Sequence, residues 1–211
     1  MKLYDCAMAP NPRRLRIFLA EKNIEIPKIE VNILDGENTQ PAFLAVNPRG
    51  LLPTLKLDDG TCFDEVMAIC RYLEALYPWQ PLLGRTPLEQ GLVESLQRKA
   101  EFEGMIAGSE VFRNQHPKFA ARSIPGGGGQ LIPAIPALVA RGRQTIERFY
   151  DWLETQLQRS PYLVGEQMTM ADVTAFCAIG FHGWSDISIP AGNSATLAWH
   201  AALNARPSAQ A

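Results

Sequence analysis

Cysteine is scarce in this chain and is never paired at short range. Cys6, Cys62, Cys70 and Cys177 are the only four in 211 residues. With no C-x-x-C pair and no His or Cys at zinc-ligand spacing, neither a disulfide framework nor a metal site is expected. Free thiols that pack as small apolar side chains are the expected state. Long apolar runs are also missing, since nothing approaches the roughly 18–20 residues of a membrane helix. Met1 to Asp5 enters strand-like sequence directly, without a signal-peptide core, so the expected compartment is the cytosol. Nor is there an excess of one charge: 20 Lys plus Arg stand against 22 Asp plus Glu. A balance of -2 offers no electrostatic reason for nucleic acid or an acidic membrane as partner. Internal repeats are absent.

What is present is apolar sequence, 46% of the chain, punctuated by 16 Gly and 16 Pro. That fills a core without staples. The first eighty residues alternate strand and helix signals. Leu3 and Tyr4 open a strand, Leu15, Phe18 and Leu19 recur at helical spacing, and Ile29, Val31 and Ile33 alternate. Thr54 to Leu57, the turn Asp58-Asp59-Gly60 and Cys62-Phe63 read as a hairpin. Val66, Ile69, Cys70, Leu73, Leu76 and Tyr77 form an amphipathic helix stripe.

After Tyr77, Pro78, Pro81, Gly84 and Pro87 break the pattern, which places a linker at 79–88 between an α/β unit at 1–78 and a helical unit at 89–211. In the latter, Leu88, Leu92, Leu96 and Ala100 form one stripe, and Ile146, Phe149, Tyr150, Leu153 and Leu157 another. Between them Pro125, Gly126 to Gly129, Pro133 and Pro136 cannot continue a helix and predict a mobile loop over a site. Thr169 to Asp172 reads as a variant capping box with a structural role.

Three features could carry chemistry. Asn11-Pro12 fits a helix start, with Asn as cap and Pro at the first helical position. Arg13, Arg14 and Arg16 follow, and cations in a first turn oppose the helix dipole, so they call for a negative partner, either an acidic side chain or an anionic ligand. Next, Asn47-Pro48-Arg49-Gly50-Leu51-Leu52-Pro53 precedes a strand as a rigid turn, and a cis Leu52-Pro53 bond would expose the Leu52 backbone to a ligand. Last, Asp64-Glu65 at a strand end meets a helix start at Val66. Acidic side chains beside free N–H groups suit a zwitterionic amino-acid head group.

In this order and spacing, and together with Glu65, Ala68-Ile69-Cys70-Arg71-Tyr72-Leu73 and Gly165 to Asp172, the features resemble a glutathione transferase of the bacterial cytosolic type. The resemblance implies a thioredoxin-like N-terminal α/β domain followed by an all-α domain, with glutathione as co-substrate and no metal. It also implies a homodimer, which no exposed apolar stripe in the sequence reveals. By resemblance Pro53 is the cis-proline, the Leu52 backbone pairs with the cysteinyl part of glutathione, Glu65 and Val66 hold the γ-glutamyl end, and Gln40 is a candidate for the glycyl end. A donor near the start of the first helix then stabilises the thiolate nucleophile.

The chain departs from many relatives at two positions. Val66 stands where a serine hydroxyl would bind the γ-glutamyl carboxylate, a loss of roughly 1.5–3 kcal/mol. Ala9 stands at the usual catalytic serine, so Asn11 becomes the polar candidate, with Cys6 the alternative if the alignment slips. An apolar electrophile pocket is expected between the domains, with Phe112, Arg113, His116 and Phe119 before the glycine loop and Phe181, His182 and Trp184 after the last strong helix as its outer wall.

The expected activity is attack of the glutathione thiol on a small electrophilic or disulfide substrate. Two rivals remain open. One is an isomerase or biosynthetic enzyme with weakened or lost glutathione use, and the other is a non-catalytic protein that binds a ligand or partner.

Overall fold

The structure, a computed structural model, describes residues 1–211. Its N-terminal part is a four-stranded mixed sheet in the order β2-β1-β3-β4. Strand β1 (Lys2–Asp5) pairs parallel with β2 (Lys28–Glu30) and antiparallel with β3 (Thr54–Lys56), and β4 (Cys62–Asp64) closes the hairpin with β3. The β1–β2 crossover runs through α1 (Pro10–Glu21), while a short α2 (Pro41–Leu44) and α3 (Val66–Leu76) complete this half. The α/β expectation therefore holds, including the hairpin, whose Gly60 takes the left-handed φ of 93° that a side chain would strain. β2 is shorter than its alternation suggests, since Val31 and Ile33 lie beyond it.

The rest is helical: α4 (Pro87–Lys99), a π-helical stretch over Ala100–Ile106, α5 (Ala107–Gln115), α6 (Ala137–Leu157), α7 (Met170–His182) and α8 (Ser194–Asn204). The stripe from Ile146 to Leu157 on α6 is buried. Nearly all of α7 is buried, as an apolar helix at the centre of a bundle must be. Its start is held by Asp172, which accepts from the N–H and hydroxyl of Thr169, the N–H of Leu163 and Nε1–H of Trp199.

The α4 stripe is helical as its spacing predicts, but it is not uniformly buried. Val93, Gln97 and Ala100 face inward, while Leu88 and Leu92 are 72% and 45% exposed. Glu101, just beyond α4, pairs on this inward side with a buried arginine of α1, described below. The stripe is therefore split, with Leu88 and Leu92 outside and Ala100 in the core.

The segment between α3 and α4 contains no helix or strand but is docked. Buried Lys22 donates from Nζ to the carbonyls of Trp79 and Gln80, and Glu74 accepts from the N–H groups of Leu82 and Leu83. One continuous apolar core runs through both halves, from Leu3, Phe18 and Leu73 to Phe149, Leu153 and Phe176. Ion pairs cross the same boundary: Arg14 with Glu101 at 3.0 Å and Arg206 with Glu21 at 2.7 Å. No helix is long and apolar enough to cross a membrane.

Candidate active site

A cleft of about 1030 Å³ separates the α/β half from the helical half. Its α/β wall begins at α1. That helix starts at Pro10, with Ala9 as its cap residue, so Asn11 is the second helical residue rather than the cap. Pro10 satisfies the preference for proline at the first position, and Pro12 falls where an N–H would have no partner in any case. The first turn thus contains one backbone N–H without a partner, that of Asn11. The Asn11 side chain is oriented as well. Arg14 Nη1, which can only donate, lies 2.9 Å from Oδ1, so Nδ2–H₂ is turned away from it and is unpartnered. Asn11 lines the cleft and has two donors without a partner in the chain.

The arginines behind it find partners within the molecule. Arg16 bonds Asp5 at 2.9 Å and the carbonyls of Cys6 and Ala7. Arg13 donates to the Ala209 carbonyl and lies over the Phe176 ring. Arg14 is buried against Glu101, while its Nε and Nη2 have no partner. Burial alone would raise the Glu101 carboxyl, but Arg14, with Gln97 and Arg98, holds it below the usual range. Cys6 is buried and absent from the cleft wall, and desolvation pushes its thiol up, which fits packing rather than nucleophilic chemistry.

The turn before β3 is rigid. The Asn47 amide donates to the Leu51 carbonyl, Thr54 Oγ1 and Asp64, and its own carbonyl accepts from the Arg49 N–H. Leu52-Pro53 is cis. Neither the N–H nor the C=O of Leu52 has a hydrogen-bond partner, although the residue is buried and lines the cleft. Buried backbone groups left open in this way require an external partner, whether water or ligand. Glu65 caps α3 with φ 71°, a left-handed conformation that a glutamate adopts only at a cost, and its side chain makes no cap bond. Its carboxylate is held by Arg49 at 2.9 Å, and Arg49 also bonds Asp64 at 2.7 Å.

Not every residue expected in the site lies on the cleft wall. Val66 turns its side chain into the core, so only its N–H, at the open start of α3, faces outward chemistry. Pro53 is buried behind Leu52. Gln40 is exposed at the start of α2 and does not line the cleft; Asn38 and Thr39 do, because the 3₁₀ turn over Glu37–Thr39 swings them inward. Nothing in the sequence marked those two.

The helical wall carries Phe112, Phe119, Phe181 and Trp184. Phe112 stacks edge-on with Trp184 at 5.3 Å and with Phe181 at 5.6 Å. His116 packs behind, on Phe112 and Phe119, and is not a cleft residue, because the helix turns at Pro117 and directs it away. His182 is buried beneath the π-helical turn, bonded to the Gly104 carbonyl at 3.0 Å and to Tyr150. Burial lowers its pKa to about 4. The glycine-rich loop closes over the cleft. Gly128 donates to the Arg49 carbonyl at 3.3 Å, and a Cβ there would lie 2.5 Å from the Pro48 carbonyl, so only glycine permits this approach.

Free backbone groups at a cis-proline, an acidic residue at a helix start and a donor at the start of α1 thus stand on one side of this α/β half. The chain matches the glutathione S-transferase N-terminal domain over residues 9–76 and the glutathione S-transferase C-terminal domain over residues 136–181. It is 33% identical over 211 residues to glutathione S-transferase 2 of Saccharomyces cerevisiae, covering 99% of this chain and 87% of that one. Maleylacetoacetate isomerase of Pseudomonas aeruginosa is 40% identical over 92 residues, 43% of each chain. The solved structure of Gtt2 from Saccharomyces cerevisiae superposes with a TM-score of 0.89 at 33% identity, covering 99% of this chain and 98% of that one. The protein belongs to the glutathione S-transferase family.

Proposed function

We propose that this protein is a glutathione transferase-like enzyme in which Asn11 stabilises the glutathione thiolate for attack on a small electrophilic or disulfide substrate. The observation that carries this reading is the pair of unpartnered donors that Asn11 presents to the cleft, its backbone N–H and its Arg14-oriented Nδ2–H₂. Two hydrogen bonds to a sulfur anion favour the thiolate, as does the positive end of α1. The unpartnered backbone of Leu52 after Asn47-Pro48 would hold the cysteinyl part. Glu65 and the Val66 N–H would hold the γ-glutamyl amine and carboxylate, with Arg49 keeping the Glu65 carboxylate in place. Asn38 and Thr39, which line the cleft where Gln40 does not, would take the remaining end. The sulfur would act on an acceptor lying against Phe112, Phe119 and Trp184. Exposed Leu88 and Leu92 on α4 support a homodimer, to be measured as solution mass.

The test is a glutathione titration by calorimetry with ultraviolet absorbance of the bound thiolate across pH. Wild type should bind in the micromolar to low millimolar range with a depressed thiol pKa. Asn11→Ala should raise that pKa by about one unit while binding persists. Loss of Asn11 with no shift sinks the assignment.

A second reading, an isomerase with weakened glutathione use, is favoured by two observations. The Val66 side chain is committed to the core, and one relative is named an isomerase. It predicts negligible glutathione binding at several millimolar.

A further inference from the structure

Six cations line the cleft: Arg49, Arg98, Arg113, Lys118, Arg122 and Arg141. Four have a carboxylate. Arg49 bonds Asp64 and Glu65, Arg98 bonds Glu101, Lys118 bonds Asp35, and Arg141 bonds Glu110. Arg113 and Arg122 have none within 4 Å, and these two sit together. Their guanidinium carbons lie 4.4 and 4.7 Å from the centroid of one ring, Phe119.

Both are fixed by backbone carbonyls rather than by charge. Arg113 donates from Nε to Ser123 and from Nη2 to Arg122; Arg122 donates from Nε to Lys118 and from Nη2 to Leu34. Nη1 of each is left without a partner. Burial and the neighbouring Arg122 bring Arg113 down to about 10, the mark of a cation lacking its counter-charge. Holding two like charges on one partly desolvated ring is unfavourable until an anion arrives, and stacking plus carbonyl bonds fix both side chains with Nη1 left over for it. The apolar surface beside them is aromatic: Phe119 packs on Phe112, and Phe112 on half-exposed Trp184.

We propose that Arg113 and Arg122 form a carboxylate-binding subsite of the cleft, so that the preferred ligand places a carboxylate on the two Nη1 groups and an apolar body on Phe112 and Trp184. This names the ligand class for the site read above and rests on that reading only for the glutathione arm. One Nη1 remains on each arginine, and two charge-assisted donors match the two oxygens of a carboxylate. The carboxylate has two possible sources, an aromatic acceptor and the glycyl end of glutathione, and the experiment separates them.

The experiment is calorimetric titration at low ionic strength with two pairs of probes, 4-nitrobenzoate against 4-nitrobenzamide, and glutathione against its glycyl ethyl ester. Wild type, Arg113→Gln and Arg122→Gln are compared by the affinity ratio within each pair, which a general loosening of the loop would not alter selectively. A wild-type preference of tenfold or more for the carboxylate in either pair, cut to threefold or less in both variants, is the expected result. If the benzoate pair responds, the subsite serves the acceptor; if the glutathione pair responds, it serves the glycyl end. No wild-type preference in either pair, or a preference that survives both substitutions, overturns the proposal. Failure of the glutathione reading shows separately, as glutathione and its ester both failing to bind, and the benzoate pair then decides the arginines alone.

Discussion

The two walls of the cleft are built on different principles. The α/β wall is tied by hydrogen bonds among residues close in sequence: Asn47 reaches Leu51, Thr54 and Asp64, and Arg49 reaches Asp64 and Glu65. It presents backbone groups whose directions are set by a short rigid turn. The helical wall is assembled from α5, the glycine loop and the end of α7, and it presents ring faces and two guanidinium forks. A wall of backbone donors suits an invariant peptide co-substrate, whereas a wall of side chains leaves the second ligand to the residues that happen to stand there. Fold-level likeness therefore speaks to the first wall and much less to the second.

The walls are not independent, because Arg14 behind Asn11 is anchored by Glu101 from the π-helical turn. Breaking that link should have the largest effect. Glu101→Ala leaves a buried guanidinium without its carboxylate and is expected to cost roughly 3–5 kcal/mol, read from urea unfolding. A loss under about 1 kcal/mol would mean that water already serves Arg14, whose Nε and Nη2 have no protein partner, and that the walls are coupled by packing alone.

Somewhat smaller is the acid sensitivity stored beneath the helical wall. Because the His182 pKa is lowered in the folded state to about 4 from 6.5, the unfolded chain binds the extra proton first as pH falls. Its contribution is complete above pH 6.5 and is lost between 6.5 and about 4, in total about 3 kcal/mol. Glu101 and Glu21, both held below the usual range with Arg14 and Arg206 respectively as partners, add loss of the same sign at lower pH. Stability measured by denaturant from pH 7 to 4.5 should fall, and His182→Gln should flatten the slope; an unchanged slope assigns the acid response to carboxylates.

The loop that joins the walls depends on a close approach. Gly128→Ala puts a methyl against the Pro48 carbonyl at a φ of 57° and should cost about 1–2 kcal/mol. Faster proteolysis within 125–131 is the accompanying sign. If both measures match wild type, the loop does not rest on the Pro48-Arg49 turn in solution.

The same division explains what the sequence made legible. The sheet, the hairpin, the cis Leu52-Pro53 bond and the Glu65–Val66 strand-to-helix junction are contiguous, and turn chemistry reads directly from neighbouring residues. Asn11 was singled out for the wrong local reason, since Pro10 starts the helix; its N–H is free because a first-turn residue has no helical carbonyl before it, and its Nδ2 because Arg14 takes Oδ1. Asn38, Thr39 and the Arg113–Arg122 pair were not legible, because chain geometry beyond any local pattern brings them to the cleft. The Leu88–Leu92 stripe was legible as a helix face but not as an exposed one, since periodicity locates an apolar face without saying which way it points.

The smallest effect asks whether charge also helps to close the walls. Lys118 and Asp35 face each other across the cleft mouth at 3.3 Å, both more than half exposed. Such a pair in water is worth about 0–1 kcal/mol, and its screening grows with salt. In a double-mutant cycle, Lys118→Ala and Asp35→Ala should couple by less than about 0.5 kcal/mol, and the coupling should vanish by 0.5 M salt because the Debye length is then only about 4 Å. Since Gly128 and Arg122 bridge the same two walls through backbone contacts that salt does not screen, the loop should stay closed when the pair is removed. A coupling above 1 kcal/mol would instead make the mouth an electrostatic latch, and the helical wall would then owe its position to charge as much as to packing.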